Sequence, residues 1–88
     1  MATVILSHRV KDFEAWKPAY EADKARRDAA GLTEIAVGRK SGDPELVYMI
    51  WDAADPSALQ QMVSDPALQK VMQEAGVIST PELVLLEA

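Results

Sequence analysis

The chain has 88 residues, no cysteine, one histidine (His8) and a formal net charge of −5. These numbers exclude disulfides, thiolate metal sites and a multi-histidine metal site within one chain, and they argue against a groove that tracks nucleic-acid phosphates. A chain this short buries a modest share of its surface and, lacking a covalent staple, commonly gains stability by association.

Thr3 to Val10 is rich in β-branched and apolar residues and predicts a first strand. Asp12 is a helix N-cap ahead of Phe13, Trp16 and Tyr20, which recur at helical spacing. Pro18 would remove a donor inside a helix, so the pattern predicts a short opening turn at 12–17 and a main helix from Pro18. Lys24, Arg26 and Arg27 stand among Glu21, Asp23 and Asp28 and read as a solvated helix face. Gly31 supplies a left-handed C-cap.

Thr33 to Lys40 is a second strand, Ser41-Gly42-Asp43-Pro44 a turn, and Glu45 to Trp51 a third strand that returns as a hairpin. Asp55-Pro56 and Asp65-Pro66 each place a capping carboxylate before proline and predict helices near 56–63 and 66–75. Gly76 ends the second of these, and Leu83 to Leu86 forms a last strand. The order is β-α-β, β-α-β. It predicts one α+β domain over 1–88, a ferredoxin-like four-stranded antiparallel sheet with its helices on one face.

Such a sheet should alternate between apolar and polar residues, and these strands do not. Val4, Leu6 and Val10 share one face of the first strand, yet Ile5 is on the other. In the third strand Val47, Met49 and Trp51 oppose Leu46, Tyr48 and Ile50; in the fourth Leu83 and Leu85 oppose Val84 and Leu86. Both faces need cover and the helices supply one. A two-fold homodimer with sheets face to face is the simplest remedy.

His8 is the one side chain that normally titrates near neutral pH, and it shares strand parity with Leu6. Leu6, His8, Met49 and Trp51 are the expected ligand-binding set, with His8 accepting a proton from an acidic phenol, quinol or enol. The alternative for His8 is a buried imidazole hydrogen-bonded to backbone or to a carboxylate. Trp51 would wall a pocket or simply pack, and a Trp51 that faces a cavity turns Tyr48, of opposite parity, toward the helices. Phe13 and Trp16 read as helix-to-sheet packing, Met49, Met62 and Met72 as core filler, and Arg9 and Arg39 as solvated edge residues, with attraction of an anionic substrate at a cavity mouth the alternative for Arg39. Tyr20 and Tyr48 are further phenolic donors. No acidic metal loop or glycine-rich phosphate loop occurs. No apolar run reaches membrane-span length, and MATVILSHRV lacks the features of a secretory leader, so a cytoplasmic protein is expected.

Tyr48-Met49-Ile50-Trp51-Asp52, then Ala58-Leu59, then Ser64-Asp65-Pro66-Ala67-Leu68, resembles the antibiotic biosynthesis monooxygenase-like superfamily of dimeric α+β barrels. His8-Arg9-Val10-Lys11-Asp12-Phe13, Trp16 and Ala75-Gly76-Val77 are similar to a small bacterial subgroup of it whose members mostly lack an assigned activity. In haem-degrading members, the resemblance implies, a polar first-strand residue and the third-strand tryptophan line the ligand cavity; the matching positions are His8 and Trp51. Those members carry a haem-ligating histidine on the following helix, where this chain has Gln60, Gln61 and Met62, so haem bound in that manner is not expected. Quinol-type oxygenases of the superfamily use no metal or flavin. The resemblance therefore implies a cofactor-independent monooxygenase acting on a small aromatic or polyketide-like substrate, with no cofactor. A cyclase or isomerase in the same cavity, or a non-catalytic ligand-binding or stress-related module, are the alternatives.

Overall fold

The structure, a computed structural model, describes residues 2–87. In chain order it contains β1 (Ala2–Arg9), α1 (Phe13–Ala22), α2 (Lys24–Ala29), β2 (Leu32–Lys40), β3 (Asp43–Ala53), α3 (Pro56–Val63), α4 (Pro66–Glu74) and β4 (Glu82–Glu87). The strands form one antiparallel sheet in the order β2-β3-β1-β4. This is the α+β, ferredoxin-like arrangement expected from the alternation of elements.

The aspartates set the helix starts. Asp12, Asp55 and Asp65 are extended N-caps whose carboxylates accept from the backbone N–H of Glu14, Ser57 and Ala67 at 3.0, 2.9 and 2.9 Å. Each satisfies a donor that the first helical turn leaves open. The expectation of a helix beginning at Pro18 is corrected. Pro18 lies inside α1, one turn past its start, and the chain breaks later, at Asp23 between α1 and α2. Proline there removes one bond from a helix whose first turn is already held by the Asp12 cap, a smaller loss than unwinding the Phe13 to Tyr20 face.

Gly31 closes α2 at φ +74°, and its carbonyl accepts from the Ala54 N–H at 3.1 Å, tying the helix end to the end of β3. Gly42, at φ +85°, makes the two-residue reversal between Lys40 and Asp43, which pair across the hairpin. A left-handed second turn position needs a residue without a Cβ.

The register places side chains in rows across the sheet. Leu83, Leu6, Met49 and Val37 form one row, and Leu85, Val4, Trp51 and Glu34 the next. Both rows face the helices, and Val4, Leu6, Met49 and Trp51 are buried with Trp16, Tyr20, Leu59 and Met62 in the core. Tyr48 therefore lies on the opposite, open face, and the expectation that it turns toward the helices is reversed. The cavity and the helices share one side of the sheet, so the parity that puts Trp51 in the cavity also puts it beneath the helices. Beyond Glu34 a register shift at Ile35 leaves that side chain 54% exposed.

Candidate functional site

A cavity of about 410 Å³ lies between the helix-facing side of the sheet and the helices. Small-molecule sites run from about 300 to 1,000 Å³, so it suits a compact ligand. Leu6, His8, Met49 and Trp51 line it from β1 and β3. Trp16 and Tyr20 line it from α1, Arg27 from α2, and Met62 and Met72 from the helices that follow β3. Three residues expected elsewhere thus stand at the site: Trp16, read as packing alone, and Met62 and Met72, read as filler. The helical spacing of Trp16 and Tyr20 was the signal for Trp16, since a helix that buries these aromatics against the sheet presents them to whatever space is left.

Arg27 corrects the reading of a solvated charge cluster. It is buried, with its Nη1 donating to the Tyr20 carbonyl at 2.7 Å and its guanidinium 3.7 Å from the centre of the Tyr20 ring. Its neighbours keep the exposed side: Lys24 pairs with Asp28, and Arg26 with Asp23. The break at Asp23 rotates α2 relative to α1, so charges that look alike in sequence point in different directions.

His8 is 3% exposed, and its Nδ1 is buried without a hydrogen-bond partner. No carboxylate is hydrogen-bonded to that atom, and the backbone group that acts on the ring is His8's own. Burial lowers the imidazole below its ordinary pKa of 6.5, and an interaction with its own backbone opposes this in part. His8 is accordingly neutral at pH 7. Its ring meets Trp16 edge-on at 5.5 Å, Trp16 stacks on Tyr20 at 5.0 Å, and Tyr20 stacks under Arg27. Imidazole, indole, phenol and guanidinium form one column along the cavity.

Tyr20 is committed at both lone pair and proton. Its hydroxyl donates to Glu34 Oε1 at 2.8 Å and accepts from Trp51 Nε1 at 3.0 Å. Burial is the largest cause that raises its pKa, to about 12, so it remains a phenol across the physiological range. Tyr20 and Trp51 are fixed as walls and the Asp23 carboxylate at the border is held by Arg26, which leaves the His8 imidazole as the unpaired acid–base group of the cavity. Arg9 lies outside it, paired with Asp43 at 2.9 Å, and Arg39 lies exposed over the Phe13 ring at 4.6 Å. Among the described residues no group of three or more histidine, aspartate or glutamate side chains could hold a metal ion. No helix among them is long and apolar enough to cross a membrane.

Solved structures share this fold over nearly the full chain. One named as an antibiotic biosynthesis monooxygenase aligns at 22% identity with a TM-score of 0.70, over 100% of this chain and 98% of its own. SnoaB from Streptomyces nogalater, a cofactor-independent oxygenase, aligns at 16% identity and a TM-score of 0.73, over 99% and 91%. An uncharacterized NIPSNAP domain protein from Burkholderia xenovorans aligns at 14% and 0.67, over 100% and 94%. No protein-family profile and no curated protein matches the chain. Identities this low establish a shared fold and leave the reaction to the site.

Proposed function

We propose that this chain is a cofactor-independent oxygenase that acts on a small, flat aromatic or polyketide-like molecule, with His8 as the proton acceptor. The observation that carries the reading is the neutral imidazole, its Nδ1 without a partner, in a cavity walled mostly by apolar and aromatic side chains. The same fold in a cofactor-independent oxygenase supports it.

The substrate is a carbon acid, a CH2 group made acidic by a conjugated phenol or ketone. His8 takes one proton from it, and the resulting carbanion, spread over the ring system, supplies electrons to dioxygen. One oxygen atom ends in a new carbonyl and the other leaves as water with the two hydrogens of the CH2 group. A depressed pKa makes His8 a weaker base, yet the imidazolium forms beside the substrate anion, and their attraction is strong in a dry site. Leu6, Met49 and Trp51 hold the rings and exclude water.

Two copies would associate through the open sheet face, leaving each cavity under its own helices. The test incubates the protein with a panel of hydroxylated naphthalenes and three-ring phenols and ketones in air, followed by mass spectrometry. The expected product has gained one oxygen and lost two hydrogens, and His8→Ala lowers turnover by about 10²–10⁴-fold, the usual worth of a positioned base. Undiminished turnover in His8→Ala would remove His8 from the mechanism. A compound that raises the melting temperature and is recovered unchanged would identify a binding module instead.

A further inference from the structure

Arg27 is a cation where a cavity wall would be expected to be neutral. It is 8% exposed, and one of its five N–H donors is accounted for, by the carbonyl of Tyr20 at the end of α1. Among the described residues no carboxylate comes within 4.0 Å of it. The acids nearby are engaged elsewhere. Asp23, which also borders the cavity, receives Arg26 Nε on its two oxygens at 3.2 and 3.1 Å; Asp28 receives Lys24; Glu34 receives the Tyr20 hydroxyl. Burying a charge without a counter-ion is costly, and the face of Tyr20 offsets only part of that cost.

We propose that Arg27 is the anion-binding residue of the cavity, and that the ligand is a flat aromatic acid whose carboxylate lies against the guanidinium. This rests on the cavity being a site for flat aromatic molecules and adds the charge that such a molecule carries. The column of side chains gives the ligand a direction. Arg27 stands at one end, beyond Tyr20, and His8 at the other, beyond Trp16. An acid group held by Arg27 keeps the far ring beside the imidazole and keeps the carboxylate away from it. Arginine suits this task because its planar fork can hold both oxygens of a carboxylate.

The test compares a naphthoate with the naphthamide of the same ring position, which share their shape and differ in charge. Quenching of Trp16 and Trp51, both of which line the cavity, reports binding. The wild type should bind the naphthoate at least about tenfold more tightly. Arg27→Gln should abolish that preference by weakening naphthoate binding far more than naphthamide binding. Equal affinities in the wild type, or a preference that survives in Arg27→Gln, overturn the assignment. If Arg27→Gln does not fold, Arg27→Met decides, because it keeps an apolar stem against Tyr20 and removes the charge: a lost preference supports the assignment and an unchanged one overturns it. Naphthamide binding without naphthoate preference counts against Arg27 alone. Failure of both probes to bind removes the cavity reading and this inference with it.

Discussion

His8 illustrates how a residue's chemistry follows from what surrounds it. Its strand parity was legible, because alternation along β1 puts positions 4, 6 and 8 on one side. Its lack of a partner was not, since that depends on side chains from α1 and β3 meeting around it. With the folded pKa lowered, the folded state resists the proton that the unfolded chain accepts. The contribution is fully present above pH 6.5 and is lost as pH falls through the folded value. Stability followed by denaturant titration should therefore decline from about pH 6.5 downward, ahead of the carboxylates. His8→Leu should flatten that part of the curve; a wild-type curve already flat there would contradict the buried, unpaired state. Arg27 was the residue that sequence reading missed. Acidic and basic residues alternate around it, and only the turn at Asp23 separates the buried cation from the exposed ones.

At the scale of elements, local signals were dependable wherever one side chain settles one backbone group. The steps Asp55-Pro56 and Asp65-Pro66 placed α3 and α4 within a residue of their ends, since the carboxylate accepts from the N–H of the second helical residue and proline starts the helix. Asp55→Ala should cost about 1 kcal/mol of stability in thermal or urea unfolding. Asp65→Ala should cost as much or more, because Asp65 also receives Arg26 at 3.4 Å and so links α4 to α2. Equal stability of both variants and the wild type would show that packing alone sets these helix starts. Pro18 shows where the local rule yields. Its missing N–H argued for a helix start, but Trp16 and Tyr20 bury their rings on either side of it, and that burial outweighs one lost bond.

For the molecule as a whole, the proposed pairing turns on the open face of the sheet. Ile5 and Ile50 pair at its centre, and Ile35, Val84 and Leu86 around them are 54%, 47% and 50% exposed, with no helix over them. Covering such side chains would contribute roughly 1.5–3 kcal/mol each before the cost of association, and that is the gain the proposed pairing would draw on. Sedimentation at micromolar concentration should give the mass of two copies, and Val84→Lys combined with Ile50→Lys should give single copies of lower stability. A wild type that sediments as a stable single copy would set the association aside. The sequence by itself determined the element order, the two apolar sheet faces and the membership of Leu6, His8, Met49 and Trp51 in one row system, because capping, turn chemistry and strand alternation act over a few residues. Which face the helices cover, that the cavity lies beneath them, and that Trp16, Tyr20 and Arg27 complete it were decided by the tertiary structure alone. Those outcomes depend on the angle at which α1 and α2 meet the sheet, and that angle is set by packing between residues far apart in the chain.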